Sequence, residues 1–344
     1  MGIREPLVHE IAEKVWMINE FGSNNMYVIE GTERALVVDA GTTYCNFRAI
    51  IESLTDKPYD VAVTHAHPDH VGMMHQFEKI YIHKNELGIV KDPEEEEADK
   101  IAASLGRSSV KSLPKEDRKR WSLLLRDGQM SEMFYNCTSY EADMHGFDMV
   151  DKLDPNAPEV WECTEEMICR GDYDTELIFI DEGYEFDLGD RKVMTMFLPG
   201  HTTGHLLFID PKSRIAFTGD CVNMNNGSSF HAASTHIRYL QKFLAEYGKS
   251  YDRIFTGHTT YGRRLNFESE PVQVVENLVE AYRALLRGEA EIVEQAFHLF
   301  PDGPKRKLVV YGTDAPFSHL SKNPRVTPQV PPKLWEDGEE HIIP

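Results

Sequence analysis

Long hydrophobic runs are missing from this chain: no stretch approaches the roughly 18 apolar residues that a membrane-spanning helix needs. The N-terminal MGIREPLVHEIAEK places charges where a secretory leader requires an unbroken apolar core. Cysteine is scarce as well. Cys45, Cys137, Cys163, Cys169 and Cys221 are odd in number and scattered, which argues against a disulfide framework and for a reducing compartment. Cys163 and Cys169 are too widely separated for the usual zinc-finger pair, and no second pair follows. Positive charge is also in deficit, with 36 Lys and Arg against 57 Asp and Glu and a formal net charge of -21. That balance repels phosphate backbones and anionic headgroups, so nucleic acid and membrane surfaces are not expected partners. The one basic run, KEDRKR at 115 to 120, is short and broken by acids, and reads as a solvated face or lid surface. These absences leave a soluble, cytoplasmic protein as the expectation.

What is present is the composition of a globular protein. Hydrophobic residues make up 41% of 344 positions, enough to bury a large core. Short β-rich runs separated by turns open the chain: KVWMIN (14 to 19), MYVIEG (26 to 31) and ALVVDAG (35 to 41). NFRAIIESL (46 to 54) has helical spacing, YDVAVTH (59 to 65) reads as a buried strand, VGMMHQF (71 to 77) as a helix, and KIYIH (79 to 83) as a strand. From 91 to 172 the pattern changes to an acidic run, KDPEEEEADK, followed by scattered aromatics and methionines that include Trp121 and Trp161. This segment reads as an inserted helical or irregular subdomain or lid, and it is a candidate wall for a substrate pocket. β-Rich patterning resumes at 176, helices are expected over 236 to 248 and 271 to 288, and KLVVYG (307 to 312) is the one strand expected after 303. The proline-spotted tail beyond it is expected to drape over the surface.

Four loops carry the chemistry. HAHPDH follows the strand ending at 65. Extended backbone sends residues i and i+2 to one side, so His65 and His67 can reach a common ion, while Asp69 and His70 serve a second point. PGHTTGH supplies His201 and His205, TGD supplies Asp220, and TGH supplies His258, each after a predicted strand. Imidazole with carboxylate is the ligand set that zinc prefers, with iron or manganese as alternatives. Any one of these histidines alone would be unremarkable; the coincidence of four loops marks a metal centre.

With these motifs in order, the sequence resembles the metallo-β-lactamase-fold hydrolases. HxHxDH is complete, VVDAG precedes it at Asp39, and PGHT, GD and GH follow at His201, Asp220 and His258. The resemblance implies an α+β fold, a four-layer αββα sandwich of two mixed sheets with the metals at one edge. Residues 1–90 and 173–303 would form that domain, 91–172 the large insertion, and 304–344 a C-terminal extension. It implies one metal on His65, His67 and His201 and another on Asp69, His70 and His258, with Asp220 bridging and two zinc ions as the expected cofactors. Asp69 would also orient a hydroxide, Asp39 would play a supporting part, and His205 would lie behind the ligands. Cys221 is discounted as a ligand. Tyr261 is a candidate oxyanion donor, and Asn226, Ser229 and His231 are candidate substrate contacts in the loop after Asp220. The activity implied is hydrolysis of an ester-like carbonyl bond in a lactone, ester, amide or thioester. The alternative is a mononuclear iron dioxygenase of the same fold. The aromatic-rich insertion also offers a surface for a homodimer.

Overall fold

The computed structural model describes residues 7–20, 24–41, 46–87, 175–224, 233–258, 267–296, 305–312 and 323–328. The insertion at 91–172 therefore lies outside the described residues. Strands β1 (Leu7–Ala12), β2 (Val15–Glu20), β3 (Asn24–Glu30) and β4 (Ala35–Val38) form an antiparallel meander. Helix α1 (Phe47–Leu54) then crosses over, so β5 (Tyr59–Ala62) runs parallel to β4, and β6 (Lys79–His83) and β7 (Glu176–Ile180) continue in parallel. The result is a seven-stranded mixed sheet in sequential order.

The second sheet has five strands: β8 (Glu185–Asp187), β9 (Lys192–Phe197), β10 (Leu206–Asp210), β11 (Ile215–Phe217) and β12 (Arg253–Phe255). Helix α3 (Ala233–Tyr247) is the crossover that makes β12 parallel to β11. Helix α4 (Gln273–Leu286) follows, and β13 (Glu291–Ala296) pairs with β14 (Lys305–Val310) as a separate ribbon.

Alternation along the strands assigns the layers. In the first sheet Tyr27, Ile29, Leu36, Val38 and Ala62 meet Leu206, Phe208, Ile215 and Phe217 of the second. Their neighbours Val28, Val37 and Val61 face the other way, onto Phe47, Ile50 and Ile51 of α1. On the far side Leu207, Ile209, Ala216 and Ile254 pack beneath Leu240 and Phe243 of α3 and Val274, Leu278 and Tyr282 of α4. The inner strands are buried on both faces, which is why they read as continuous apolar runs rather than alternating ones. Each fully buried Phe or Ile contributes roughly 1.5–3 kcal/mol through its removal from water. The layer order is thus αββα, as expected.

Four elements differ from the sequence reading. The segment at 71–77 is not one helix. A single turn, α2 (Pro68–Val71), gives way to a 3-10 turn over Met74–Gln76. Tertiary bonds explain the break: the Gly72 N–H donates to Gly41 O at 2.8 Å and the Met73 N–H to Ala40 O at 3.0 Å, so neither continues a helix. Strands β1 and β13 were not expected, and β13 pairs with β14 across residue 303. The tail is not wholly on the surface either. Val326 is fully buried, pairs with Tyr311, and joins Val309 in the core under α3 and α4.

Strand direction places the ligand loops together. Because β9 and β11 are both antiparallel to β10, and β12 is parallel to β11, the C-terminal ends of β9, β11 and β12 share one edge. There the first sheet meets the second: the Leu206 N–H donates to Thr64 O, just past β5, at 2.8 Å, and the Asn25 N–H to Gly257 O at 2.8 Å. The buried Tyr27 hydroxyl and Asn25 amide both donate to Thr256 O, at 2.5 and 3.0 Å.

Candidate metal centre

Four strand ends deliver the side chains. His65 and His67 follow β5, His67 in extended backbone, and α2 begins at Pro68 so that Asp69 and His70 lie in its single turn. His201 comes from the loop after β9, Asp220 from the turn after β11, and His258 from the turn after β12.

The atoms converge as ligand sets. His65 Nε2 stands 3.1 Å from His67 Nδ1, and His201 Nε2 stands 2.9 Å from the same atom. His258 Nε2 lies 3.1 Å from Asp69 Oδ2, with His70 Nε2 3.8 Å from that oxygen. Asp220 sits between the sets: Oδ2 is 3.4 Å from His201 Nε2 and 3.3 Å from His258 Nε2, and Oδ1 is 3.5 Å from His70 Nε2. Ligand atoms about 2.0–2.1 Å from one tetrahedral ion stand about 3.3 Å apart, so these separations are those of ligand shells. His65 with His67 and His201, and Asp69 with His70 and His258, each present atoms within 4.8 Å of one another, and His65, His70 and Asp220 form a further such group. Among the described residues His70 Nε2 is buried without a hydrogen-bond partner, directed between two carboxylates. An uncompensated buried nitrogen of that kind is costly unless a cation takes its lone pair.

A supporting network fixes which nitrogen faces the centre. The Thr64 hydroxyl donates to Asp39 at 3.0 Å and stands 3.0 Å from His65 Nδ1. Thr64 N–H adds a bond to Asp39 Oδ1 at 2.7 Å, while His70 Nδ1 lies 2.9 Å from Asp39 Oδ2. With protons on both Nδ1 atoms, each Nε2 is left free for metal, the arrangement by which a carboxylate orients a ligand imidazole. Asp39 therefore steadies one histidine of each set, and it does so from left-handed backbone at φ 66°. His205 lies behind: its Nε2 accepts the Asp220 N–H at 3.2 Å, and its ring stacks on His65. Cys221 packs in the core, and its thiol donates to Leu198 O at 2.8 Å.

Electrostatics divides the two sets. Burial, with neighbouring imidazoles, pushes His65 and His201 below the usual histidine range and His67 down to about 3. Burial also opposes charge on His70 and His258, but there the carboxylates outweigh it: Asp39, Asp69 and Asp220 hold His70 at about 9, and Asp220 and Asp69 hold His258 at about 10. Asp69 and Asp220, despite burial, are pulled below the carboxylate range by those histidines. One set is neutral; the other is built to surround positive charge.

Exposure differs among the ligands. His65 and His70 are fully buried, whereas Asp69 is 35% exposed and His201 17%. All seven expected ligands are thus brought together. Tyr261, Asn226, Ser229 and His231 lie outside the described residues. Thr64 was missed, although it abuts His65; so was Glu86, for which the sequence offers no signal beyond a lone acid after a strand. Gly257 belongs to the site as well, because a Cβ there would stand 2.5 Å from Asp220 Oδ1 and 2.6 Å from His70 Cε1. Gly257→Ala should accordingly lower bound metal and cut turnover by at least about ten-fold. Full metal content with unchanged turnover would count against that tight approach.

A two-sheet sandwich flanked by helices, with histidines and aspartates gathered at one edge, defines a metal-binding α+β protein. The sequence profile of the metallo-beta-lactamase superfamily matches residues 19–266, and the chain belongs to that superfamily. A hydroxyacylglutathione hydrolase from Maricaulis maris is 30% identical over 139 residues, 36% of this chain and 53% of that protein. The acyl-coenzyme A thioesterase MBLAC2 of Gallus gallus is 23% identical over 207 residues, 58% of this chain and 57% of that protein. The chain spans a little over half the length of these curated relatives. Among solved structures, a superfamily protein from Sulfolobus tokodaii is similar with a TM-score of 0.46 and 15% identity, covering 82% of this chain and 86% of that one. A second, from Thermus thermophilus, has a TM-score of 0.45 and 15% identity, covering 80% and 81%.

Proposed function

We propose that the protein is a dinuclear metal-dependent hydrolase of an ester-like carbonyl bond in a small molecule, with two zinc ions as the expected metals. The observation that carries this reading is Asp220, whose carboxylate oxygens lie 3.3 to 3.5 Å from ligand nitrogens of both histidine sets. A pair of dications held there would supply Lewis-acid polarisation of a carbonyl and a hydroxide at neutral pH, by lowering the pKa of water from about 15.7 to about 7.

The chain's own residues do the rest. His65, His67 and His201 would hold one ion as neutral imidazoles; Asp69, His70 and His258 would hold the other; Asp220 would be shared. Asp69, the most exposed of the carboxylates, would orient a hydroxide that the metals would supply. Asp39 and Thr64 would hold the rings of His65 and His70 in orientation through their hydrogen bonds to the two Nδ1 atoms. Substrate would enter past Asp69 and His201, and Tyr261, Asn226, Ser229 and His231 remain candidates for oxyanion and substrate contacts. The thioesterase among the relatives puts thioesters first among the bonds to be tried.

The test is metal analysis of the purified protein together with a panel of thioester, ester, lactone and amide substrates. Two zinc ions per chain, with hydrolysis that needs no oxygen and is lost on chelation, is the expected result. One iron per chain with oxygen uptake would overturn it in favour of a dioxygenase.

A further inference from the structure

We infer that Glu86 is a positioning residue for one half of this centre: its buried carboxylate ties the loop of His65 and His67 to the loop of His201 and so fixes that ligand set, independently of the set formed by Asp69, His70 and His258. The inference rests on the metal-binding reading above.

Glu86 lies in a 3-10 turn over Lys84–Glu86 that follows β6, and it is fully buried. No cation pairs with it among the described residues. Its two oxygens instead serve two loops. Oε2 accepts the N–H of Ala66, the residue between His65 and His67, at 2.9 Å. Oε1 accepts the N–H of Gly204, three residues after His201, at 2.5 Å. Neither N–H has a strand partner, since the loops have left their sheets; each would otherwise be a buried orphan. A carboxylate is one of the few side chains that can accept from both at once.

The rest of the turn is sewn to the same place. Asn85 Nδ2 donates to Thr203 O, and Thr203 Oγ1 donates back to Asn85 O, each at 3.3 Å. His83 caps the turn by accepting the Asn85 N–H at 3.2 Å, and its ring stacks on Phe197 at the end of β9. Gly204 is required by closeness: a Cβ there would stand 2.7 Å from Glu86 Cγ and Oε1 and 2.9 Å from His83 Nδ1. The chain has given up a side chain at 204 to let the carboxylate reach the backbone.

The other ligand set has anchors of its own beside the Asp39–Thr64 network that serves both sets. His70 is held by Asp39 through Nδ1 and by the Ala40 N–H on its carbonyl at 2.7 Å, and the turn carrying His258 hangs from Asn25 and Tyr27 through Thr256 and Gly257. Loss of Glu86 therefore loosens His65, His67 and His201 relative to one another and leaves the second set in place. Because the effect passes through backbone hydrogen bonds, it should show as a split between the two metal affinities.

Zinc titrated into the metal-stripped full chain, followed by calorimetry and by cobalt(II) absorption, tests this. Glu86→Gln keeps the shape but turns an amide NH2 toward an N–H, so one of the two bonds is lost. One metal equivalent should weaken by about 10- to 100-fold and the other by less than about three-fold, with turnover regained at high zinc. In an Asp69→Asn background the remaining equivalent should be the one that Glu86→Gln weakens. Should Glu86→Gln fail to fold, Glu86→Asp carries the test, since it keeps the charge and is too short to span both loops; the same split is expected. Phe243→Leu, in the core under α3, is the control for lost stability and should leave both affinities unchanged. Equal weakening of both equivalents, the same pattern in Phe243→Leu, or unchanged binding while the unaltered protein holds two metals would each overturn the role of Glu86 alone. Failure of the unaltered protein to bind two metals would overturn the proposed function, and this inference with it.

Discussion

Asp220→Ala is expected to cost the protein most of its bound metal and at least about a thousand-fold in turnover. A residue that only orients a ligand is worth about 10- to 100-fold in affinity or activity, and Asp220 does more. Its oxygens approach His70, His201 and His258 together, so truncation leaves three imidazoles facing one another without the anion that balances a dication. Asp220→Asn separates charge from shape: it should retain the fold and still lose the metal pair. Metal content by emission spectroscopy and steady-state rates on the same samples provide the check. Normal metal content and rate in Asp220→Ala would remove Asp220 from the shared position.

The second large effect is on protons. In the metal-free protein His70, held at about 9, and His258, held at about 10, are charged at neutral pH, so two protons stand where a cation would. The sign follows from the shifts. Both pKa values are raised above the ordinary 6.5, so their stabilisation of the metal-free fold is fully present below pH 6.5 and lost as pH rises through 9 and 10. Asp69 and Asp220 are shifted down, so theirs is present above the ordinary 3.8 and lost as pH falls through the lowered values. His65, His67 and His201 are shifted down and count the other way, costing stability as pH falls below 6.5, so the metal-free protein should be most stable near pH 6.5 and its melting temperature should fall on either side.

Zinc must displace those protons to bind. The His65, His67 and His201 set is neutral at pH 7, so the first equivalent should bind with little pH dependence. The second should release at least about two more protons than the first and weaken by about a hundred-fold per pH unit below 9. Calorimetry in buffers of different ionisation enthalpy counts the protons. Equal release by the two equivalents would refute this division of charge. A practical corollary is that mild acid should strip the second metal first.

The ligands were legible because their chemistry is concentrated: HAHPDH, PGHTTGH, TGD and TGH each stand at a strand end. How they pair across the sequence was not in the spacing; it came from family resemblance. In the fold the pairing depends on β9, β11 and β12 ending at one edge. The supporting residues divide in the same way. Asp39 was visible through its turn, whereas Thr64 and Glu86 matter through hydrogen bonds to backbone that no local pattern announces. Strand β1 was hidden by the polar residues of an edge, with Val8 left 41% exposed, and β13 by its own exposure, with Ile292 left 40% exposed. The helix expected at 71–77 failed because the Asp39 turn captured its N–H groups, a competition that helical periodicity cannot register.

The seam between the sheets carries a consequence for assembly. Thr64 O receives Leu206 N–H, and Gly257 O receives Asn25 N–H, at the very edge where the metal ligands meet. Neither sheet holds a complete ligand set without the other: His65, His67, Asp69 and His70 arrive with the first, His201, Asp220 and His258 with the second. The ligand groups are therefore complete only once the two halves have docked, a joint that synthesis can finish only after residue 258 has emerged.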